Sequence, residues 1–549
     1  MKKRRSLLRL AGVLFAATLV SIYTTGAQEV KELPGERDSG EIRADVITID
    51  TLAFFGDLER PEVVFFHDLH TDALEKKDKD CLACHLSEND RLSLKFKRLK
   101  DTSSQEVMDT YHSECMACHK EMSAAGERAG PIEICGECHR DKAKAISARQ
   151  PMGFDKSLHF RHSEATKDKE PDKDRCELCH HEYDEKTKKL FYAKEREGSC
   201  RYCHMEETEE NRISMRLASH LSCIDCHRKT LAKNEAKALA KNKIAGPVKC
   251  SGCHDLNKQK MIKKVKDVPR IRRKQPDAVL IRANGQETEK QRLATKMNPV
   301  PLDHKAHEEY NDTCRVCHHA SLDSCSKRCH TVAGTKQGED VKLERAMHQI
   351  GTNKSCLGCH ESNQREKRCA GCHAFMEKGR KQGTDTCLKC HMESLQVSTE
   401  VEQKPEALAS MLLESRRAIT DTYKDKDIPE KVIIGELFYE YEPVQFPHRK
   451  IIDSLVEKIK DDKLANYFHG EKGTICQACH HNSPVAKKPP RCVSCHGKPF
   501  DEKNLLRPGL KAAYHQQCMG CHKEMGIEKP KPTGCTDCHK VAGTSRLYD

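Results

Sequence analysis

The chain has 549 residues, of which 37% are hydrophobic and 33% are charged, and it contains no tryptophan. It carries a formal net charge of +12 and has 32 cysteines. A chain of this length with so little apolar mass cannot bury a conventional hydrophobic core. Large globular enzyme domains are therefore excluded unless cofactors supply the missing apolar material.

Residues 1–27 predict an export signal that starts with the charged run from Lys2 to Arg5. An apolar run follows through Tyr23, and small residues up to Ala27 offer a cleavage site. A retained membrane anchor is the alternative, although Arg9 interrupts the apolar run. No later segment approaches the roughly 18 apolar residues of a spanning helix. We therefore expect a periplasmic protein, either soluble or peripheral to the inner membrane.

Fifteen Cys-x-x-Cys-His motifs and one Cys-x-x-x-Cys-His motif use all 32 cysteines. The thiol pairs are Cys81 and Cys84, Cys115 and Cys118, Cys135 and Cys138, Cys176 and Cys179, Cys200 and Cys203, Cys223 and Cys226, Cys250 and Cys253, Cys314 and Cys317, Cys325 and Cys329, Cys356 and Cys359, Cys369 and Cys372, Cys387 and Cys390, Cys476 and Cys479, Cys492 and Cys495, Cys518 and Cys521, and Cys535 and Cys538. In this motif the thiols form thioethers with haem c and the histidine ligates the iron. Structural zinc is the alternative, but zinc does not require a histidine after every second cysteine. The sequence predicts sixteen covalent haems.

Sixteen haems change what the basic charge implies. Their propionates would add about 32 negative charges, more than the formal charge of +12 offsets. Nucleic-acid binding is therefore not expected. The lysines are better suited to surrounding exposed haem edges, where other redox proteins dock.

Histidines supply candidate ligands for both faces of the irons. The motif histidines are His85, His119, His139, His180, His204, His227, His254, His318, His330, His360, His373, His391, His480, His496, His522 and His539. The remaining histidines are His67, His70, His112, His159, His162, His181, His220, His304, His307, His319, His348, His448, His469, His481 and His515. Isolated histidines usually have no special role, but fifteen candidates for sixteen vacancies, in a recurring order, favour ligation. We predict fifteen bis-histidine haems and one five-coordinate iron.

The order of these residues repeats along the chain. Residues 159–254 and 304–373 each contain a His-x-x-His pair, a motif ending in His-His, a second motif, a lone histidine shortly before a third motif, and a final motif. Residues 67–139 show a three-motif version. This arrangement resembles the class III cytochromes c, the small tetrahaem proteins of sulfate-reducing bacteria, and their trihaem relatives. The resemblance implies tandem, loop-rich domains with short helices and small β-hairpins wrapped around covalent haems.

The resemblance also implies which histidines share an iron. In chain order the implied pairs are His67 with His85, His70 with His119, His112 with His139, His159 with His180, His181 with His204, His162 with His227, His220 with His254, His304 with His318, His319 with His330, His307 with His360, His348 with His373, His448 with His480, His481 with His496, and His515 with His539.

We predict four haem units joined by linkers. They are a trihaem unit at 28–146, tetrahaem units at 147–255 and 275–378, a basic linker at 256–274, an isolated haem with a helical linker at 379–430, and a tetrahaem unit with one open haem at 431–549. The isolated haem is that of His391. An amphipathic helix is predicted from Pro405 to Leu413, and it is expected to pack between units.

Short β-branched runs predict a hairpin at the start of three units. The runs are Val46–Ile49, Val279–Ile281 and Val432–Ile434, and the extended stretches that follow them end at His67, His304 and His448. The second unit opens differently, from Phe154 to His159, so a hairpin there is in doubt.

The fourth unit is irregular, because Ile451 stands where the second histidine of the His-x-x-His pair would be. Its third haem, at His522, then lacks the usual ligand, and His469 must serve either this haem or the isolated one. We favour His469 at the isolated haem, since Ile451 would line the open face at His522 with an apolar side chain. The alternatives are the reverse allocation and a methionine ligand, from Met519 or Met525.

We predict an electron-transfer protein and not an enzyme. Over the whole mature chain the arrangement resembles the large sixteen-haem members of the class. This implies electrons arriving from a periplasmic hydrogenase and a small tetrahaem cytochrome c, and leaving to the membrane subunits of a redox complex linked to sulfate reduction. The alternatives are a multihaem reductase with a catalytic five-coordinate haem and an electron-storage cytochrome. A catalytic face would need polar groups over the iron, whereas Ile451 is apolar.

Overall fold

The structure, a computed structural model, describes most of the chain after the predicted export signal. The described residues are 41–141, 145–167, 174–236, 245–282, 298–373, 387–388, 390–391, 404–416, 423–436, 441–481, 486–499, 502 and 507–541. The predicted signal at 1–27 and parts of the linker at 379–430 lie outside them. Within the described residues, no helix combines the length and the apolar character that crossing a membrane requires.

The described strands are short and form two-stranded sheets only. They are β1 Glu41–Arg43, β2 Val46–Ile49, β3 Val63–Phe66, β4 His85–Glu88, β5 Arg91–Phe96, β6 Ala145–Ser147, β7 Glu182–Asp184, β8 Lys189–Phe191, β9 Ala278–Ile281, β10 Val300–Asp303, β11 Val432–Ile434 and β12 Val444–Phe446. The pairs β2 with β3, β4 with β5, β7 with β8, β9 with β10 and β11 with β12 are antiparallel, and β1 with β6 is parallel.

Most of the described secondary structure is helical, in short pieces. The α-helices are α1 His67–Glu75, α2 Ser104–Ala124, α3 Cys135–Cys138, α4 Lys156–Thr166, α5 Met215–Ser219, α6 Asp225–Ala236, α7 Cys250–His254, α8 Leu256–Lys260, α9 His304–Tyr310, α10 Leu343–His348, α11 Cys356–Gln364, α12 Lys367–His373, α13 Pro405–Ser415, α14 His448–Ile459, α15 Lys463–His469, α16 Lys472–Cys476, α17 Val493–His496, α18 Leu510–Glu524 and α19 Cys535–Cys538. Single 3₁₀ turns span Thr51–Phe54, Cys81–Ala83, Cys176–Leu178, Cys200–Tyr202, Cys314–Val316, Lys336–Gly338 and Asp425–Asp427, and π turns span His220–Ile224 and Cys325–Cys329. The predicted class of loop-rich domains with short helices and hairpins is confirmed.

Three hairpins each deliver the chain to a ligand-bearing helix, as predicted. In the first, β3 ends at Phe66 and α1 starts at His67. The pairs β9 with β10 and β11 with β12 lead in the same way to α9 and α14. The second unit opens without a hairpin, on α4, whose N-terminus is capped by the Asp155 carboxylate accepting from the Leu158 N–H at 2.7 Å. A capped helix start and a hairpin thus serve the same purpose, which is to fix the first ligand histidine.

The predicted helix in the linker is α13, and it packs against the β9–β10 hairpin of the third unit. Its Ala409 and Leu412 side chains are buried. The Glu406 carboxylate accepts a hydrogen bond from the Asp277 N–H, just before β9, at 3.1 Å. The helix therefore packs on the third unit, and its predicted position between units stays a prediction.

Buried apolar side chains are few and scattered in the described part of the chain. They are Ala44, Val46, Leu92, Val107, Ala278, Ala306, Ala409, Leu412, Ile428, Ile452, Ile475 and Leu510. Four of the twelve are alanines, and Val107 alone is a fully buried larger side chain in this part. The polypeptide thus builds no continuous hydrophobic core of its own here, which agrees with cofactors supplying that core.

The chain divides into two compact bodies. Body 1 comprises Met1–Gly153 with Glu206–Lys264, and body 2 comprises Phe154–Met205 with Val265–Asp549. The second predicted haem unit is divided between them, since the motifs of His180 and His204 fall in body 2 and those of His227 and His254 fall in body 1. The predicted unit boundaries stay a prediction.

Within body 1, Asp68 links the first haem unit to the end of the second. Its carboxylate, 6% exposed, accepts hydrogen bonds from the N–H groups of Cys250 and Ser251, each at 2.8 Å. It thereby caps the segment that carries the motif of His254, while Asp68 itself lies next to the ligand candidate His67.

Candidate haem-binding sites

Each attachment motif forms a single turn that places its two thiols and its histidine together. In eight motifs the N–H of the histidine donates to the carbonyl oxygen of the first cysteine at 2.7 to 2.9 Å. These are the motifs of His139, His180, His204, His318, His391, His480, His496 and His539. Residues i, i+3 and i+4 of such a turn lie on one side, which is the side from which a porphyrin could be held.

The motif with the extra residue keeps this arrangement through a wider turn. Cys325 to Cys329 form a π turn, and the His330 N–H donates to the Cys325 carbonyl at 2.7 Å. The His330 ring still lies opposite that of His319, with centroids 5.9 Å apart. The extra residue is therefore absorbed locally, and the site fits a haem as the other sites do.

Histidine rings stand opposite each other in pairs at a spacing that fits a shared metal ion. Twelve of the predicted pairs have ring centroids 5.9 to 6.3 Å apart: His67 with His85, His70 with His119, His112 with His139, His159 with His180, His181 with His204, His220 with His254, His304 with His318, His307 with His360, His319 with His330, His448 with His480, His481 with His496, and His515 with His539. Two imidazoles that bind one metal ion from opposite sides through bonds of about 2 Å place their centroids about 6 Å apart. The predicted pairing of His162 with His227 stays a prediction.

Carbonyl oxygens fix the orientation of many of these rings. Nδ1 lies 2.7 to 3.3 Å from a carbonyl oxygen in His70, His119, His139, His162, His227, His254, His304, His307, His330, His348, His391, His496 and His522. A ring whose Nδ1–H donates to a carbonyl keeps the Nε2 lone pair for a metal. The residues present therefore fit haem iron in tautomer as well as in spacing.

Two Gly-Pro pairs contact the rings of motif histidines and orient them, which the sequence analysis did not predict. The His119 Nδ1 donates to the Pro131 carbonyl at 2.8 Å, and a Cβ on Gly130 would lie 2.8 Å from both ring nitrogens. The His227 ring is held in the same way by Pro247, with Gly246 against its face. A Gly-Pro pair following an attachment motif is the signal that could have identified these positions.

The motif of His391 belongs with the third unit, which corrects the prediction of an isolated haem there. The His391 ring lies opposite that of His348, with centroids 5.9 Å apart. The predicted pairing of His348 with His373 is therefore wrong. Nδ1 of His391 lies 2.7 Å from the carbonyl oxygen of Asn298, so the segment that leads into β10 of the third unit orients this ring.

The thiols of the third unit support the same correction. Burial of the thiol raises the pKa of Cys356 to about 11, and the thiols of Cys325, Cys317 and Cys390 act in the same direction. Cys390 belongs to the motif of His391. Thiols of three other attachment motifs, among them that of His391, therefore act on the pKa of Cys356.

The isolated site is that of His373, and its second histidine comes from the fourth unit. The rings of His373 and His469 have centroids 6.0 Å apart. Both predicted allocations of His469, to His391 and to His522, are therefore wrong. Chain order misled the prediction because the lone histidine before a motif can turn toward whichever motif lies nearest in space.

His522 faces no other histidine ring in the described part of the chain. Its Nδ1 lies 3.3 Å from the carbonyl oxygen of Pro530. The Met525 sulfur lies 3.8 Å from the Cys521 sulfur, on the attachment side of the site, and Met519 is 40% exposed. This placement does not favour the methionine alternative.

A further cluster of side chains that could bind a metal ion belongs to the haem sites already described. Ligand atoms of His67, Asp68 and Cys250 lie within 4.8 Å of one another. Although burial alone would raise the pKa of Asp68, His67 and the backbone N–H groups of Ser251 and Cys250 hold it well below its ordinary value. Because His67 stands opposite His85 and Cys250 belongs to an attachment motif, the cluster is part of two haem sites.

Comparisons with known proteins agree with this geometry. A model of the class III cytochrome c family matches residues 49–139, 140–254, 280–391 and 442–539, so its third match includes His391. The high-molecular-weight cytochrome c of Nitratidesulfovibrio vulgaris (strain Hildenborough) is 45% identical over 98% of this chain and 99% of its own length.

Two solved structures resemble the chain along most of its length. The high-molecular-weight cytochrome c of Desulfovibrio vulgaris (Miyazaki F), determined in the presence of zinc ion, has a TM-score of 0.74 at 42% identity and covers 93% of this chain and all of its own. The sixteen-haem cytochrome of Desulfovibrio gigas has a TM-score of 0.68 at 39% identity, covering 91% of this chain and all of its own.

Proposed function

The chain belongs to the class III cytochrome c family and is a multihaem electron carrier rather than an enzyme, and on that premise we propose its place in electron flow. It works in the periplasm, receives electrons from hydrogenase through a small tetrahaem cytochrome c, and passes them to the membrane subunits of a redox complex linked to sulfate reduction. The predicted export signal supports the location, and the likeness to high-molecular-weight cytochromes c along nearly the whole chain supports the partners.

The observation that carries this proposal is the set of facing histidines at about 6 Å. Haem c supplies one-electron redox chemistry when it is bound. Two imidazoles that hold an iron from both sides leave no coordination position for a substrate. Nδ1–H groups donating to carbonyls fix the rings, so little reorganisation accompanies a change of charge at the site. These residues suit carrying electrons and not transforming a substrate.

We further propose sixteen covalent haems, of which fifteen are bis-histidine and the one at His522 is five-coordinate. The fifteen bis-histidine haems include one that His162 and His227 are predicted to share. On α14, Ile451 and Lys458 lie two helical turns apart on one face, and before haem is attached Cys372 and then the Lys458 charge lower the pKa of the Cys521 thiol. This supports Ile451 as the apolar neighbour of the open face at His522.

Reduction kinetics test the proposed electron donors. The mature holoprotein is mixed with hydrogenase under hydrogen, with and without the small tetrahaem cytochrome c, and haem reduction is followed by absorbance. We expect the small cytochrome to accelerate reduction, and added salt to slow it, because lysine-rich docking surfaces are screened. Equal rates with and without the small cytochrome would contradict this donor route.

The acceptor and the location have their own tests. The reduced protein is added to vesicles carrying the membrane subunits, and its reoxidation should require those subunits. The N-terminus of the protein recovered from the periplasm should begin near Gln28. Turnover of nitrite or hydroxylamine at appreciable rates would favour the reductase alternative instead.

A further inference from the structure

Two attachment helices cross in close contact inside body 2. Helix α12 carries the motif of His373, and α18 carries the motif of the unpaired His522. Gly371, which is buried, lies at the crossing. A Cβ at this position would lie 2.5 Å from the Met525 sulfur and 3.0 Å from the Cys521 sulfur. A side chain at residue 371 would therefore displace Met525 and press on the Cys521 sulfur, and a large one would force the two helices apart.

Haem-bearing sulfurs meet at this crossing. The Cys521 sulfur lies against Gly371, the residue next to Cys372, and both cysteines belong to attachment motifs. A thioether sulfur is joined to the edge of its porphyrin through a single carbon. With haem bound, thioethers at Cys372 and Cys521 would therefore hold the edges of two porphyrins at this crossing.

We propose that Gly371 is a positioning residue that brings the site of His373 and His469 against the unpaired site of His522, so that these two sites exchange electrons directly. The inference rests on the proposed five-coordinate iron at His522. In each exchange one iron goes from ferrous to ferric and the other from ferric to ferrous. No bond to the protein changes and no proton is needed.

The contact explains why a glycine occupies the middle of this motif. Met525 is flexible and could adjust to a small side chain, but the Cys521 sulfur is fixed on α18. Gly136 occupies the middle of the motif of His139 and has no atom near a Cβ built on it. Gly136 is therefore a matched control for substitutions at Gly371.

Electron paramagnetic resonance tests the proposal, because the five-coordinate iron gives a high-spin signal distinct from all bis-histidine irons. In the fully oxidised holoprotein, the neighbouring paramagnetic iron should speed relaxation of the high-spin signal. We expect G371V to lower the half-saturation power of that signal several-fold, and G136V to leave it unchanged. G371V/M525A, which removes part of the clash, should restore most of the wild-type value.

A second variant and a second readout keep the test decisive. C369S/C372S removes the neighbouring haem and should lower the half-saturation power as far as G371V does, whereas C387S/C390S, which removes the haem of His391, should not. After mixing with substoichiometric reductant and rapid freezing, the high-spin signal should disappear more slowly in G371V than in the wild type. A high-spin signal that is present but insensitive to G371V and C369S/C372S would overturn this inference alone. Absence of a high-spin signal from the fully loaded wild type would overturn the proposed open site as well.

Discussion

His469 stands opposite His373, with ring centroids 6.0 Å apart, and so builds one haem site from two haem units. His373 lies in the segment predicted as the third unit, just before the motif of His391, whereas His469 lies at the end of α15 in the fourth. The site therefore joins the two units through an iron that each of them holds by one imidazole. The packing of these two segments of body 2 therefore depends on haem attachment at this site.

Replacing His469 by alanine should open the iron at His373. We expect the high-spin signal of the oxidised protein to double, because a second five-coordinate iron joins that of His522. Spin quantification at full haem occupancy measures this. In a C369S/C372S background, H469A should add no high-spin signal, since its iron is already absent. An additional high-spin signal in that background would show that His469 serves another haem.

The same reasoning separates His348 from its predicted partner. H348A should open the iron at His391, and it should do so in a C369S/C372S background as well. In a C387S/C390S background it should change nothing. If H348A instead adds high-spin iron only while the haem of His373 is present, the pairing seen in the structure is incorrect.

Gly130 should tolerate no side chain, because a Cβ would press on the His119 ring. We expect G130A to break the hydrogen bond from Nδ1 to the Pro131 carbonyl and to lower the free energy of unfolding by about 1 to 3 kcal/mol. Denaturant unfolding of the holoprotein, followed by the low-spin absorbance, measures this. The G136A variant is the control and should unfold like the wild type.

Asp45 should make the free energy of unfolding of body 1 depend on pH in the acidic range. It is 3% exposed, it accepts from Arg43 Nε at 2.7 Å, and it caps α1 by accepting from the Asp68 N–H at 2.9 Å. Burial alone would raise the pKa of Asp45, but the hydrogen bonds from Arg43 and Asp68 lower it below its ordinary value. The unfolded state therefore binds this proton more readily than the folded state does.

It follows that the Asp45 carboxylate stabilises the fold above about pH 4, the unfolded pKa, and that this contribution is lost as the pH falls through the lower folded pKa. We expect D45N to reduce the free energy of unfolding at neutral pH by about 2 kcal/mol, and the difference from wild type to shrink below about pH 4. Exposed Asp57 offers a control, and D57N should show no such difference. A D45N deficit that stays constant down to pH 2 would show that the carboxylate charge is not responsible.

Local features of the fold were readable from the sequence. The hairpins at Val46–Ile49, Val279–Ile281 and Val432–Ile434 and the helix from Pro405 follow from β-branched runs and helical periodicity, which act over a few residues. The twelve facing pairs that agree with prediction connect histidines within one haem unit. Within a unit, the order of motifs along the chain therefore predicts which histidines face each other.

The sequence by itself determined the chemistry of this protein. An attachment motif is a single turn of chain, so its two thiols and its histidine identify a haem site without reference to the rest of the fold. Only the tertiary structure decided which distant histidine completes a site, as with His469 at His373, and which glycine admits a neighbouring helix, as Gly371 does. The physical reason is that such partners meet across space, where the packing of whole units sets the distances and the order of residues along the chain does not.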